Sequence, residues 1–180
     1  MLSTEARRLL RIPKNAVLPV SLGELYDRWF AGRSYKTRFG GWKFEARGAS
    51  QDGLYDLCLE HPTAQFNFGL DPECRVYVEC ENWIPIASSF ISLVEEDAFL
   101  VASGVRKDRV RGLGRFSDYN QFLLQHRDYL ARFREVTLDP EFTRAFQGAE
   151  SIIMASRFYS DEHVIFCYEY FFGDGHDRTD

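Results

Sequence analysis

Apolar positions along the chain follow two periods, and the switch between them divides it into elements. Residues Ser3 to Arg11 have a helical period with Leu2, Leu9 and Leu10 as contacts. Pro13 ends that run, because the residue before a proline avoids the helical region. Val20 to Gly32 gives the clearest local pattern. Ser21 and Glu24 have the S-x-x-E spacing of a capping box, and Val20 and Leu25 occupy the two positions of a hydrophobic staple. Leu22, Leu25, Tyr26, Trp29 and Phe30 then form one apolar face, Trp29 as a core anchor, and Gly32 is a natural stop.

The period then shortens to two. Tyr35, Thr37 and Phe39 alternate with basic residues, as do Trp42, Phe44 and Ala46, and Gly40-Gly41 between them predicts a hairpin with a two-residue turn. Lys36, Arg38, Lys43 and Arg47 form its basic face, which suits either a solvated sheet surface or a nucleic acid; the acidity of the whole chain favours the former. Leu54 to Glu60 alternates as a further strand. The stretch Ala64 to Val101 predicts a second hairpin: Phe66, Phe68 and Leu70 on one strand, Cys74, Val76, Val78 and Cys80 on the other, and Asp71-Pro72-Glu73 at the turn. Ile84-Pro85-Ile86-Ala87 suits a buried edge segment, since proline breaks a central strand. Ser88 or Ser89 caps a following helix with the stripe Phe90, Val94, Ala98 and Val101. Glu95 and Glu96 face away from that stripe and Asp97 does not.

Gly104 to Arg115 (GVRKDRVRGLGR) has no apolar period and predicts a basic, mobile surface loop. Its GLG lacks the Walker pattern of a phosphate cradle. Ser117 to about Val136 predicts a long helix, with Tyr119, Phe122, Leu123, His126, Tyr129, Leu130 and Phe133 on one face and His126 as a core histidine. Asp139-Pro140 has the form of another helix start, with Phe142, Ala145 and Phe146 on its apolar side. Ser151 to Tyr159 and His163 to Phe172 predict a terminal hairpin, apolar on both faces, and residues 173–180 a flexible polar tail. The expected fold class is α+β: an antiparallel sheet of about five to seven strands packed by N-terminal, central and C-terminal helices. The expected organisation is one domain over residues 1–180, with a core over 15–136 and a helix plus hairpin over 137–180.

Composition changes this picture little. At 180 residues the chain can bury a core without a metal or disulfide staple. No apolar run approaches membrane-spanning length and no secretory leader is visible at the N-terminus, so the expected location is the cytoplasm, with Cys58, Cys74, Cys80 and Cys167 as free thiols.

Charge changes it more. Residues 1–50 carry ten basic and four acidic side chains, 51–101 one and ten, 102–136 eight and four, and 137–180 three and nine. Such blocks either pair with one another in the fold or leave a field that selects partners.

Catalytic and metal patterns are missing from the sequence. No serine lies in a G-x-S-x-G elbow, and His61, His126, His163 and His176 stand singly, without the pairing a metal site uses. His176 between Asp174 and Asp177 lies in the polar tail. The expectation is a non-enzymatic chain with no cofactor, no metal and no membrane association.

Leu18-Pro19 with the helix to Gly32, the antiparallel meander after it, and Trp83-Ile84-Pro85-Ile86-Ala87-Ser88-Ser89-Phe90 leading into an acidic helix together resemble the SUKH superfamily of bacterial toxin-immunity and related scaffold proteins. The resemblance covers residues 15–101. It implies a domain that binds and neutralises a partner protein, a basic toxin domain suiting the acidic segment by charge. The partner-binding residues would be Asp71, Glu73, Glu79, Glu81, Glu95 and Glu96. Two alternatives from the residues themselves are a small-molecule or nucleotide-binding protein, with the basic segment 106–115 at the mouth of an aromatic pocket, and a plain interaction module.

Overall fold

A computed structural model describes residues 2–46, 54–59, 67–79, 82–157 and 165–173, with the backbone alone for 55–59 and 157. The chain forms two compact units, Met1–Ala102 and Ser103–Asp180. Helices and antiparallel sheets together make it an α+β protein.

The first unit begins with helices α1 (Thr4–Leu9) and α2 (Leu22–Trp29). Six strands follow: β1 (Arg33–Lys36), β2 (Gly41–Phe44), β3 (Tyr55–Leu59), β4 (Phe68–Leu70), β5 (Val76–Glu79) and β6 (Trp83–Ala87). Helix α3 (Phe90–Ala102) closes the unit. Each strand pairs antiparallel with the next, giving the order β1-β2-β3-β4-β5-β6. Tyr26 and Phe30 of α2 and its C-terminal cap, Phe44 of β2 and Phe90 of α3 are fully buried. The Phe30 ring lies 5.0 Å from that of Phe44 and 4.4 Å from that of Phe90, both edge-on, the geometry aromatic pairs favour.

Local chemistry explains the boundaries. Ser3 Oγ accepts from the Ala6 N–H and Ser21 Oγ from the Glu24 N–H, each satisfying a free donor of its helix. The expected staple does not form, because Val20 is fully exposed. The expected Gly-Gly turn is also corrected. Lys36 pairs with Gly41, so the β1–β2 loop is the four residues Thr37 to Gly40. Thr37 Oγ1 accepts from the Phe39 and Gly40 N–H groups, which holds the loop without positive φ at either glycine. The β4–β5 turn forms at Asp71-Pro72-Glu73 as expected, with Asp71 Oδ1 accepting from the Arg75 N–H at 2.8 Å, but Cys74, expected on the second strand, is buried in the turn at φ 68°, and β5 begins only at Val76. Strand β6, carrying Pro85, lies at the sheet edge, where a missing donor costs least. On α3, Phe90, Val94 and Ala98 are buried as the stripe requires, while Val101 is half-buried.

The second unit comprises β7 (Val105–Phe116), α4 (Tyr119–Gln125), α5 (Arg127–Leu130), β8 (Arg134–Asp139), β9 (Thr143–Gln147), β10 (Ser151–Arg157) and β11 (Ile165–Phe172). Its strands pair in the order β7-β11-β10-β9-β8. Phe116, Phe122, Leu130, Phe146, Ile153, Ala155, Ile165 and Cys167 form its core.

Three expectations are overturned here. The basic segment 104–115 is an edge strand rather than a loop. Its ends, Val105 and Phe116, are buried, whereas the positions between them are exposed or half-buried, so no apolar alternation marks it. Gly112 and Gly114 flank a register shift opposite Cys167 and Tyr168, with Gly114 at φ 130°. The single helix expected over 117–136 is two short helices and a strand. His126 leaves helical geometry at φ −113° and ψ 16°, and its ring packs 5.1 Å from Phe122 and 5.3 Å from Phe116. The helix expected from Asp139-Pro140, and with it the C-terminal helix, is a turn into β9. Asp139 Oδ1 accepts from the Glu141 N–H there, holding the turn instead of capping a helix. The terminal hairpin is present as β10 and β11, paired from Ser151↔Phe171 to Arg157↔Ile165. The expected tail, from Asp174 on, lies outside the described residues.

Candidate functional site

The sequence-derived carboxylates do not meet in one cluster. Asp71 and Glu73 lie in the β4–β5 turn, Glu79 ends β5, and Glu95 and Glu96 lie on α3; Glu81 is outside the described residues. A four-residue strand spans about 13 Å, which separates Glu79 from Asp71. Glu73 is exposed, and Glu79, Glu95 and Glu96 are half-buried. Three of these acids bond neutral donors. Asp71 takes the Arg75 N–H and the Tyr77 hydroxyl, Glu79 the Asn67 side-chain amide at 2.6 Å, and Glu95 the Ser3 backbone N–H at 2.7 Å. Such bonds orient a carboxylate and leave its charge in place. The ion pairs Arg8–Glu5 and Lys43–Glu45 join neighbours within the basic first block rather than neutralising these acids.

A second feature of this unit lies where α1 ends beside β1. An open cleft of about 600 Å³ has Arg8, Arg11, Lys36 and Arg38 in its lining. Beneath it, the Tyr35 hydroxyl donates to Asp97 Oδ2 at 2.6 Å. Burial pushes the Asp97 carboxyl up to about 6, against the opposing effect of the Tyr35 hydrogen bond. The Tyr35 phenol is pushed well above its ordinary value by burial and by the nearby Asp97 charge. One hint of this pair is legible in the sequence: Asp97 is the acid of α3 that does not face away from the apolar stripe.

The second unit holds a buried charge that sequence periodicity does not single out. Glu169 of β11 has no exposed surface. Ser151 and Tyr129 each donate to its Oε1 at 2.6 Å, and Arg111, directly across the β7–β11 ladder, pairs with its Oε2. Burial raises the carboxyl's pKa, but the bonds from Ser151, Tyr129 and Arg111 outweigh it and hold the group below the usual range. Arg111 also lies over the Tyr129 and Phe171 rings. Donors from three elements thus converge on one carboxylate, which is how a buried charge is made tolerable.

Cys74 and Cys167 are buried free thiols, and burial pushes Cys167 up to about 12, so it is not a reactive thiolate. Among the described residues no three His, Cys, Asp or Glu side chains come together as metal donors, and no helix is long and apolar enough to cross a membrane.

No protein-family model, curated protein or solved structure matches the chain.

Proposed function

We propose that the chain is a non-enzymatic protein-binding domain of the immunity type, which engages a basic partner protein through the carboxylates of the first unit. The observation that carries this reading is the bonding of the acidic segment. Asp71, Glu79 and Glu95 each accept a hydrogen bond from a neutral donor, which fixes the carboxylate in one orientation for a partner. Carboxylates held this way steer a cationic partner and fix its orientation at little ordering cost. The SUKH resemblance over residues 15–101 falls within this same unit of two helices, a six-stranded meander and a closing helix.

The test is a binding titration of the purified chain with the product of the neighbouring gene, at low and at high salt. The expected result is a complex that weakens with salt, and weakens further in Glu73→Lys and Glu79→Lys. A complex indifferent to both, or no complex, overturns the proposal.

A further inference from the structure

We propose that the cleft between the end of α1 and the edge strand β1 binds a phosphate-bearing small molecule of mononucleotide size. Its volume of about 600 Å³ is that of a small-ligand site. Four cations from two distant segments, Arg8 and Arg11 on one side and Lys36 and Arg38 on the other, share its lining with no carboxylate among them. Like charges gathered around an open cleft are unfavourable until an anion enters.

The four are not equivalent. Arg8 is forked onto Glu5, with its Nε 2.9 Å from both carboxylate oxygens, and Arg38 lies over the Phe39 ring. Arg11 and Lys36 are exposed and supply the available donors. Ser34, two residues from Lys36 along β1 and so on the same strand face, adds an exposed hydroxyl. Tyr35 and Thr37 also line the cleft, but their hydroxyls are engaged by Asp97 and by the β1–β2 loop. Leu9 and Val101 give an apolar wall for the remainder of a ligand.

The position of Arg11 is set by how α1 closes. The Arg11 N–H bonds the Arg8 carbonyl at 3.1 Å and the Ile12 N–H the Arg7 carbonyl at 2.8 Å, the two bonds of a Schellman motif closing α1. Its left-handed position, ordinarily a glycine, is held here by Arg11 at φ 55°. Glycine would close the helix with less strain, so the turn itself does not call for an arginine. Arg11 lines the cleft together with Lys36, and a guanidinium fork and an ammonium are the two usual partners of a phosphate.

The inference is independent of the acidic surface. Its test is calorimetric titration of the full chain with ADP, inorganic pyrophosphate and adenosine at low salt, with amide chemical shifts to locate the change. ADP and pyrophosphate are expected to bind, adenosine to fail, and the shifts to fall on the end of α1 and on β1. Lys36→Gln should weaken binding about tenfold, the worth of one charge-assisted hydrogen bond. Arg11→Gly should weaken it similarly while leaving the thermal midpoint unchanged or raised, which separates lost binding from lost folding. Arg115→Ala, on β7, should bind as the native chain does. The proposal is overturned if neither phosphate compound binds, if adenosine binds as well as ADP, or if Arg11→Gly and Lys36→Gln bind like the native chain.

Discussion

Replacing Asp97 by asparagine tests the strongest electrostatic statement about the first unit. Folding lifts the carboxyl from an ordinary 3.8 to about 6, because burial disfavours its charged form. A folded pKa above the unfolded one means that the folded state holds more protons between about pH 4 and 6. Stability therefore falls as pH rises through that window and stays reduced above it. A shift of about two units corresponds to about 3 kcal/mol, an upper bound on the penalty at neutral pH. The Asp97→Asn substitution would remove the charge and still offer an oxygen to the Tyr35 hydroxyl. The variant should therefore be more stable than the native chain at about pH 7.5, by about 1–3 kcal/mol, and equal to it near about pH 3.5. Urea unfolding followed by circular dichroism across that range measures the difference directly, and other titrating groups cancel between the two proteins. A variant less stable at neutral pH, or a difference that does not change with pH, would show that burial does not penalise this carboxylate.

Glu169 should behave with the opposite sign. Its folded pKa is held below 4.5, so its contribution is present above that pH and is lost on acidification. Arg111→Ala should move the acid-unfolding midpoint to higher pH and cost about 2–3 kcal/mol at neutral pH, Ser151 and Tyr129 still bonding the carboxylate; unchanged acid unfolding would contradict this. Phe30→Ala, which empties the centre of the first unit's aromatic cluster, should cost about 3–5 kcal/mol in urea unfolding. Gly148→Ala would bring a Cβ within 2.7 Å of the Phe133 ring and should lower stability by about 1–3 kcal/mol, read as a thermal midpoint shift. Val20→Ser should change stability by less than about 0.5 kcal/mol, since the side chain is fully exposed and forms no staple.

The contrast between the two units explains what periodicity could reveal. In the first, α2, β2, β5 and α3 each bury a regularly spaced set of side chains, so Leu25, Tyr26, Phe44, Val76, Val78 and Phe90 mark their elements by spacing alone. In the second, β7 is an edge strand whose middle is largely open to solvent. Nothing in Arg106 to Arg115 alternates in polarity, because little there is buried. Residues 117–136 carry apolar spacing compatible with one helix, and the chain leaves that geometry at His126, whose ring packs against Phe122 and against Phe116 of β7, the latter a contact that helical spacing does not encode. The candidate sites follow the same division. The acidic block is legible as composition. The Glu169 group and the Arg11–Lys36 cleft are not, since each joins residues from distant segments: Arg111 with Glu169, and the end of α1 with β1.

The two sheets also differ in when they can be completed. Every pairing in the first joins consecutive strands, so the loops to be closed are short and the sheet can grow in the order in which the chain is synthesised. In the second, the first strand β7 finds its partner only in the last, β11, and the Arg111–Glu169 pair spans 58 residues. A nascent chain ending before Ile165 leaves β7 with no ladder and Ser151 and Tyr129 without their acceptor. Loss of β11 therefore breaks the sheet between β7 and β10, whereas loss of β8 removes an edge. The C-terminal strand is the closing piece of its unit, and folding of that unit waits for it.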